Sequence, residues 1–461
     1  METLIYKFFH NCSVRIMKLL EEIKVVELED NYFYFVNINT KKWVIKHGNL
    51  SSKEDEESII RLLSKYQRES NSDYDKQNDG LREIIISLTD NCNLSCKYCA
   101  RSYVRSLKRN MTEKSLISIL RKAIEYSKMH KRKIYIQFHG GEPSLRMDTI
   151  GRALGQIPID NINDHLILRI QTNGTMVDDS FIDIIKKYNI RVSFSLDGPK
   201  EINDIVRVRA DNSGTFSSIL SGIERVRRDA PNNKLTVIGV LSRANIGVAD
   251  HLYTYLEELG FSQISLIPAF IEGNAIGGNI VPASSEFVKP SIEIYDTWVK
   301  SLEFGNHTRS SLDLLYLWNL VASNTGRSFT TTNCGAGTFS VFVETNGKVY
   351  PCSSFALHDY EMGDVNTKSF DEIMSGKVAS LFLERTVEKV EGCNDCALQT
   401  LCNGGCPASA LRSTGSLFKK DPYCDYWYPV IHHILSSIAK NPKIIELAPI
   451  EGVPILKNER S

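Results

Sequence analysis

The sequence has no excess of charge of either sign and no long apolar run. Its 461 residues include 55 Lys and Arg and 55 Asp and Glu, so the formal net charge is zero. A general nucleic-acid binder usually carries a basic excess. No apolar run approaches the ~20 residues that span a bilayer, and polar residues interrupt the first 20 positions, unlike a secretory signal core. We therefore expect a cytoplasmic, soluble, globular protein that binds neither nucleic acid nor membrane.

Cysteine is absent from the middle of the chain, between residues 100 and 333. Eleven cysteines occur in all, with three near residue 95 and seven in the last third. Disulfides are rare in reducing compartments, so clustered cysteines indicate metal or redox sites. Cys12 stands apart from both groups, and we interpret it as a small buried apolar residue.

The chain length predicts two to four domains. Residues 1–80 are predicted to form a small α+β unit, with helices near Arg15–Glu22 and Ser52–Arg68 and aromatic strands on both sides of an Asn39-Thr40 turn. Residues 81–305 form the predicted core, 306–332 a bridging segment with a helix over Leu312–Ser323, and 431–461 a tail. The Gly- and Cys-rich region 333–430 is loop-like in composition, so we expect metal crosslinks to hold it together.

The core alternates short β-branched runs with longer amphipathic segments. Six such repeats predict an α/β domain whose parallel sheet is open or curled into a partial barrel. Ligands in such folds lie at the carboxyl ends of the strands. The predicted strands are Glu83–Leu88, Lys133–Phe138, Leu166–Gln171, Arg191–Leu196, Leu235–Leu241 and Gln263–Ile267. The predicted helices are Glu113–His130, Asp178–Lys187, Phe216–Arg228, Val248–Leu259 and Ser284–Leu302, with a less regular helical stretch before Leu166.

The first cysteine group follows the first predicted strand. Cys92, Cys96 and Cys99 have a Cys-x3-Cys-x2-Cys spacing on a loop, which brings three thiolates onto one metal centre. Thiolates suit iron–sulfur clusters or zinc. A zinc site would need a fourth ligand, and no other His or Cys stands within twenty residues on either side. Three cysteines on a 4Fe–4S cube leave one iron open to an exogenous molecule.

The motifs at the strand ends resemble those of the radical S-adenosylmethionine (SAM) superfamily. Gly140-Gly141-Glu142-Pro143 is similar to the family motif that holds the amine of SAM. Glycines let a backbone approach closely, and a carboxylate pairs with an ammonium. The resemblance implies a partial (β/α)6 barrel and a SAM-binding 4Fe–4S cluster on the first three cysteines.

Further residues match the family's SAM contacts in chain order. Ser195 resembles the serine that contacts SAM, and Arg207, twelve residues on, resembles the arginine that pairs with its carboxylate. Tyr98 matches the aromatic position behind the adenine, and Leu266 or Ile267 would lie under the nucleotide. The cofactor-binding residues that the resemblance implies are Tyr98, Gly140, Gly141, Glu142, Asn173, Ser195, Arg207 and Leu266.

The seven later cysteines resemble the SPASM extension of radical SAM enzymes, which binds two auxiliary 4Fe–4S clusters. The resemblance assigns Cys334, Cys352 and Cys406 to the first auxiliary cluster. It assigns Cys393, Cys396, Cys402 and Cys424 to the second. Together with SAM, the implied cofactors are therefore three 4Fe–4S clusters. The alternative interpretation is a pair of structural zinc knuckles.

Seven cysteines leave one of the eight auxiliary irons without a cysteine ligand. Some relatives place an eighth cysteine a few residues after the first, but residues 335–340 contain none. Water, His358, Asp359, Cys12 or a substrate thiolate could fill the position. A substrate thiolate is the most suggestive chemically, because an open iron could deprotonate and position a peptide cysteine.

Two subclasses of the family compete as models for the function. Anaerobic sulfatase maturases form formylglycine and typically have an Asp base after the second SPASM cysteine, where this chain has Ser353. Maturases of ribosomally made peptides form thioether or carbon–carbon crosslinks and often carry a leader-binding unit. We expect the second subclass, with Cys thioether formation, and residues 1–80 as a leader-binding candidate that alternatively only caps the bottom of the barrel.

The implied partners are a ribosomally made precursor peptide with its leader and a flavodoxin- or ferredoxin-type electron donor. A SAM-binding electron-transfer or scaffold protein without radical turnover is the alternative from a different class. No general base can be chosen from the sequence, because Asp359, Glu361 and Asp364 are acidic residues on a loop. The substrate peptide, the bond formed and the oligomeric state also stay open.

Overall fold

A computed structural model describes residues 22–37, 43–48, 58–60, 63, 80–306, 308–310, 335–356 and 359–447. Several predictions lie outside these residues. They are the helix near Arg15–Glu22, the Asn39-Thr40 turn, the Leu312–Ser323 helix, Cys12, Cys334 and His358.

The core sheet contains the six predicted parallel strands, and each boundary lies within one residue of its prediction. They are β4 (Glu83–Ser87), β5 (Ile134–His139), β6 (Leu166–Thr172), β7 (Arg191–Ser195), β8 (Thr236–Leu241) and β9 (Gln263–Pro268). They pair in chain order, so the sheet is an open partial barrel among the described residues. On β5, Ile134, Ile136 and Phe138 are fully buried, whereas Tyr135 and His139, on the other face, are partly exposed. This alternation divides each strand between a helix-covered outer face and a polar inner face.

Helices cover the outer face of the sheet. Helix α1 begins where the Thr112 side chain accepts a hydrogen bond from the Ser115 backbone N–H, and its apolar stripe includes Leu116, Ile119 and Leu120. The stretch before Leu166 forms two short helices. The helices are α1 (Glu113–His130), α2 (Met147–Gly155), α3 (Ile159–His165), α4 (Asp179–Lys187), α5 (Lys200–Val206), α6 (Phe216–Asp229), α7 (Ala249–Glu258), α8 (Val288–Glu303), α9 (Phe370–Met374), α10 (Lys377–Glu384), α11 (Gln399–Cys402), α12 (Pro407–Thr414), α13 (Cys424–Lys440) and α14 (Lys443–Leu447).

The Gly- and Cys-rich region is attached to the core sheet, which the sequence did not predict. Strand β11 (Ser340–Val343) pairs in parallel with β4, and β12 (Lys348–Tyr350) and β13 (Gly363–Asp364) extend the sheet in antiparallel fashion. All four residues of β11 are buried. Backbone pairing and apolar burial therefore anchor this region to the core sheet, and the metal crosslinks that the sequence predicts would add to this anchoring. At the other edge, β10 (Arg309–Ser310) pairs with β9.

The amino-terminal residues form an antiparallel sheet of β1 (Ile23–Glu27), β2 (Tyr32–Asn37) and β3 (Trp43–His47). One face of this sheet belongs to the main core, and the other packs on Ile59 and Leu63. The sheet lies against α13, where the His432 side chain contacts the Glu27 carbonyl at 2.8 Å and the Ser436 hydroxyl accepts from the Glu29 N–H at 3.3 Å. Helix α13 itself starts at Cys424, a predicted cluster ligand.

No helix among the described residues is long and apolar enough to cross a membrane.

Candidate active site and metal centres

Cys92, Cys96 and Cys99 lie together on the loop after β4. Their side chains belong to one small apolar cluster that includes Leu94 and Val206. The loop pairs with the end of α5, because the Ser95 N–H donates to the Val208 carbonyl at 2.6 Å and the Lys97 N–H donates to the Val206 carbonyl at 2.9 Å. The backbone therefore fixes the three thiols in place at the carboxyl end of the sheet.

The surroundings of these thiols fit an iron–sulfur cluster. Burial raises the pKa of Cys92 to about 12 and that of Cys96 to about 11. Thiolates in such an apolar place need a cation to compensate their charge. Among the described residues, no group of three His, Cys, Asp or Glu side chains is placed to hold a single metal ion. Cys thiolates are the ligands that hold 4Fe–4S clusters, so three buried thiols on one loop fit such a cluster.

Gly140 and Gly141 let the end of β5 pass directly under the cysteine loop. A Cβ at Gly141 would lie 2.1 Å from the Asn91 carbonyl oxygen, and one at Gly140 would lie 2.6 Å from the Thr89 carbonyl oxygen. The Gly141 and Glu142 N–H groups donate to these same two carbonyls, at 2.7 and 2.9 Å. The close approach that the glycines allow in this structure is therefore between two protein backbones, and the contact with SAM remains a prediction.

Glu142 and Asn173 connect the second and third strands with the cysteine loop. The Glu142 carboxylate, 1% exposed, accepts from the Ser144 N–H, the Thr172 hydroxyl and the Asn173 N–H at 2.6–2.9 Å. Burial raises the pKa of Glu142, although these donors oppose the shift. The Asn173 amide donates to Asn93 at 2.8 Å and faces the Cys92 sulfur at 3.9 Å. A carboxylate offers about four acceptor positions, and three protein donors occupy Glu142. One position therefore remains for a further partner such as an ammonium.

Arg207 is buried and paired with Asp197, with their side chains 2.9 Å apart. The Tyr98 hydroxyl also donates to Asp197, and the Arg207 guanidinium lies 5.6 Å from the Tyr98 ring centre. Asp197 and its neighbours raise the pKa of Arg207 against the opposing effect of burial. The Ser195 hydroxyl accepts from Gln171 at 2.9 Å on the inner face. The structure thus joins Tyr98 and Arg207 through Asp197, and their contacts with SAM remain predictions.

Leu266 and Ile267 point to opposite faces of β9. Leu266 is 4% exposed and belongs to the main core, on the side of the helices. Ile267 is 36% exposed and pairs in register with Val240, which packs against the cluster of the cysteine loop. Of the two residues predicted to lie under the nucleotide, Ile267 is therefore the one on the inner face, and the choice of Leu266 needs correction.

A buried ion network that the sequence did not predict connects the cysteine loop with the SPASM region. Arg101, two residues after Cys99, pairs with Glu344 at 3.1 Å, and both side chains are less than a tenth exposed. Arg109 contacts Asp90 at 2.7 Å and Glu344 at 3.6 Å. The pairing residues lie 243 positions apart, and only the parallel pairing of β4 with β11 brings them together.

Some of the described auxiliary cysteines lie near other members of their assigned sets, and the assignment itself stays a prediction. Cys352 and Cys406 pack on one apolar cluster that also contains Ala336, two residues after Cys334. In the other set, burial raises the pKa of Cys402, and the neighbouring thiols Cys424, Cys393 and Cys396 raise it further. These neighbours are the thiols that the resemblance assigns to the second auxiliary cluster, and that assignment stays a prediction.

The acidic residues after Cys352 have other roles. Asp359 is exposed. Glu361 pairs with Lys348 at 2.6 Å on the surface, and Asp364 accepts from the Asn366 N–H at 2.7 Å in a turn. Glu361 and Asp364 therefore have partners within the surface hairpin.

Two family models match the chain. The model of the radical SAM superfamily matches residues 86–245, and the model of the SPASM iron–sulfur cluster-binding domain matches residues 334–397. A cysteine-type anaerobic sulfatase-maturating enzyme from Clostridium novyi is 27% identical over 341 residues, which cover 71% of this chain and 87% of that relative.

Solved structures share the fold. Native anSMEcpe with bound AdoMet superposes with a TM-score of 0.69 at 21% identity, covering 78% of this chain and 100% of that one. Streptococcus suis SuiB bound to S-adenosylmethionine superposes with a TM-score of 0.55 at 15% identity, covering 88% of this chain and 99% of that one. SuiB bound to its precursor peptide SuiA has a TM-score of 0.52.

The two matching models lie on the two parts of the chain that hold the cysteine groups. The first covers the Cys92 loop and the strand ends that surround it, and the second begins at Cys334. The chain is an enzyme of the radical SAM superfamily with a C-terminal SPASM domain, and its cofactors are SAM and 4Fe–4S clusters.

Proposed function

We propose that this enzyme oxidatively crosslinks a ribosomally made precursor peptide and that the bond it forms is a Cys thioether. The observation that carries the proposal is the three-stranded amino-terminal sheet, whose edge strands β1 and β3 offer a place for an extended peptide to bind. The superposition on anSMEcpe covers 100% of that chain and 78% of this one, whereas the superposition on SuiB covers 99% of that chain and 88% of this one. SuiB acts with a precursor peptide, SuiA.

The bound cofactors would supply a 5′-deoxyadenosyl radical that removes hydrogen from an unactivated C–H bond. The chain's own residues hold and orient the reactants. Glu142 and Asn173 fix the cysteine loop, and Asp197 fixes Arg207 and Tyr98. The polar inner face of the sheet, including Gln171 and Ser195, would line the space for cofactor and substrate.

The leader peptide would add a strand to the amino-terminal sheet. Both faces of that sheet are covered, by the main core and by Ile59 and Leu63. Its edges are β1 and β3, and neither pairs with a further strand among the residues described. Because an extended peptide binds a sheet edge through backbone hydrogen bonds, an edge is the place where a leader of variable sequence would bind. Leader recognition would thus occur beside α13, which begins at the auxiliary ligand Cys424.

An acidic electron donor of the flavodoxin or ferredoxin type would dock beside the first cysteine loop. Residues 91–112 contain five basic residues and no acidic one. Arg101 and Arg109 are used internally, whereas Lys97 and Lys108 are exposed. Opposite charges steer association and set its orientation. Since iron–sulfur clusters and free thiolates persist in a reducing compartment, we place the reaction in the cytoplasm.

Formylglycine formation on a protein is the second candidate function. The similarity to the sulfatase-maturating enzyme of Clostridium novyi favours it. Ser353 at the position of the expected Asp and the absence of an eighth cysteine in residues 335–340 count against it. Carbon–carbon crosslinking of a peptide would use the same radical and the same electron acceptor, and it stays a third possibility.

The test is the intact mass of a short cysteine-containing peptide, encoded beside this gene and co-expressed with the enzyme without oxygen. Loss of two hydrogens per site, with thiols that no longer react with an alkylating reagent, is the expected result. The same loss with free thiols would instead assign carbon–carbon crosslinking. An unchanged peptide, together with modification of a sulfatase-type Cys or Ser, would replace the proposal by formylglycine formation.

A further inference from the structure

Glu272 stands between the two cysteine-bearing parts of the molecule. It follows β9, and its carboxylate accepts from the Ser354 hydroxyl at 3.0 and 3.2 Å and pairs with Arg412 at 2.5 Å. Ser354 lies two residues after Cys352, and Arg412 is on α12, which begins directly after Cys406. Glu272 therefore contacts both segments that carry the described cysteines of the first auxiliary set.

Gly273 and Asn274, the two residues after Glu272, contact the cysteine loop that follows β4. The Asn274 N–H donates to the Cys99 carbonyl at 3.0 Å, and its side-chain amide donates to the Cys96 carbonyl at 2.9 Å. Gly273 has φ +53°, and a Cβ there would lie 2.2 Å from the Cys99 carbonyl oxygen. The backbone at 273 therefore lies directly against this loop, and the two Asn274 hydrogen bonds keep residues 272–274 beside it.

The Glu272 carboxylate has acceptor capacity left. A carboxylate offers about four acceptor positions, and the contacts with Ser354 and Arg412 leave some of them open. Its side chain is 15% exposed, so it is partly shielded but reachable. By contrast, Asp359 and Glu361 lie at the surface, and position 353 carries a hydroxyl instead of a carboxylate.

We propose that Glu272 accepts the proton that the substrate loses when it is oxidised, with Ser354 and Arg412 as positioning residues. The proposal deepens the function proposed above and rests on it. In thioether formation the substrate carbon gives its hydrogen atom to the deoxyadenosyl radical, which becomes 5′-deoxyadenosine. The thiol would give its proton to Glu272 and the sulfur would bond to the substrate carbon, while an auxiliary 4Fe–4S cluster, when bound, would supply the acceptor for the one surplus electron. Atoms and electrons then balance.

The test compares Glu272→Gln with the wild-type holoenzyme. Glutamine keeps the size of the side chain and an oxygen for Ser354 but cannot take up a proton at neutral pH. We expect unchanged iron content, unchanged affinity for the peptide and continued SAM cleavage, while oxidised product falls at least about 100-fold. The ratio of 5′-deoxyadenosine to product should rise accordingly. Glu272→Asp should restore part of the product, because it returns a carboxylate that can take up the proton.

The matched control is Glu286→Gln, which changes another Arg-paired glutamate, on the surface at 2.8 Å from Arg243. It should leave product formation unchanged. Product at the wild-type rate from Glu272→Gln would overturn the proposal, and so would loss of iron or of peptide binding, because Glu272 would then be structural. If the wild-type enzyme makes formylglycine, the proposed function fails. The comparison of Glu272→Gln with the wild type still tests the role of Glu272, because that oxidation also releases a thiol or hydroxyl proton.

Discussion

Replacing Gly141 by alanine should abolish binding of the SAM cluster, whereas the free energy of unfolding should fall only in part. The new Cβ would lie 2.1 Å from the Asn91 carbonyl oxygen, 2.6 Å from its carbon and 2.9 Å from the Asp90 carbonyl oxygen. Ordinary contacts are about 3.5 Å or more, so the backbone of the cysteine loop must retreat by more than about 1 Å. All three atoms belong to backbone, which no side-chain rotation can move aside. The residue that moves is adjacent to Cys92.

Overpacking of this kind costs about 1–3 kcal/mol. Because the loop also loses its hydrogen bonds to the Gly141 and Glu142 N–H groups, we expect the upper part of that range. For a domain of this size the fall in Tm would be about 5–10 °C. The iron content after anaerobic reconstitution should drop from about 12 to about 8 per chain, since four irons belong to each cubane.

The assay combines iron determination, thermal unfolding and formation of 5′-deoxyadenosine from SAM. Gly247→Ala is the control, because a Cβ at Gly247 would have no atom within 4 Å. It should keep all the iron and the wild-type Tm. Full iron content and SAM cleavage in Gly141→Ala would refute the reasoning that this glycine sets the distance between β5 and the cysteine loop.

Three further predictions concern the ion network, pH and the electron donor. Glu344→Ala should lower the free energy of unfolding by about 3–5 kcal/mol in urea, because it leaves buried Arg101 without its partner, whereas Glu286→Ala on the surface should change little. Although His139 is partly exposed, its ring nitrogen Nδ1 is buried, and this desolvation together with nearby Arg101 lowers its pKa to about 4 from 6.5. The unfolded chain therefore binds this proton first. Stability should fall by at most about 3 kcal/mol as the pH drops from 6.5 to 4. His139→Gln should flatten Tm against pH in that window, and an unchanged slope would contradict the assignment. The double change Lys97→Glu and Lys108→Glu should slow turnover about tenfold at low salt when flavodoxin is the reductant, but not when dithionite is. The control makes the same charge reversals at exposed Lys128 and Lys131, beyond the far end of the barrel. It should leave turnover unchanged with either reductant.

The sequence predicted the parts of the fold that follow from local pattern. The β-branched runs located all six core strands to within one residue, and the cysteine spacing located the first motif on the loop after β4. The sets of auxiliary cysteines came from resemblance alone and stay a prediction.

Contacts between distant residues could not be predicted in the same way. Arg101 and Glu344 meet only because β11 joins the sheet beside β4, and no local signal in a Gly- and Cys-rich segment indicates that pairing. Glu272 and Ser354 are 82 positions apart. The error at Leu266 has a simpler cause. Successive residues of a strand point to opposite faces, so a shift of one residue exchanges the inner face for the outer one.

The most direct test of the central claim replaces Cys92, Cys96 and Cys99 together by alanine in the reconstituted enzyme. The iron content and the 5′-deoxyadenosine formed from SAM under reducing conditions are then measured. The account predicts about 8 irons per chain instead of about 12, and no SAM cleavage, with the auxiliary clusters in place. Continued formation of 5′-deoxyadenosine by this variant, or a wild-type protein that holds zinc and no iron, would contradict it.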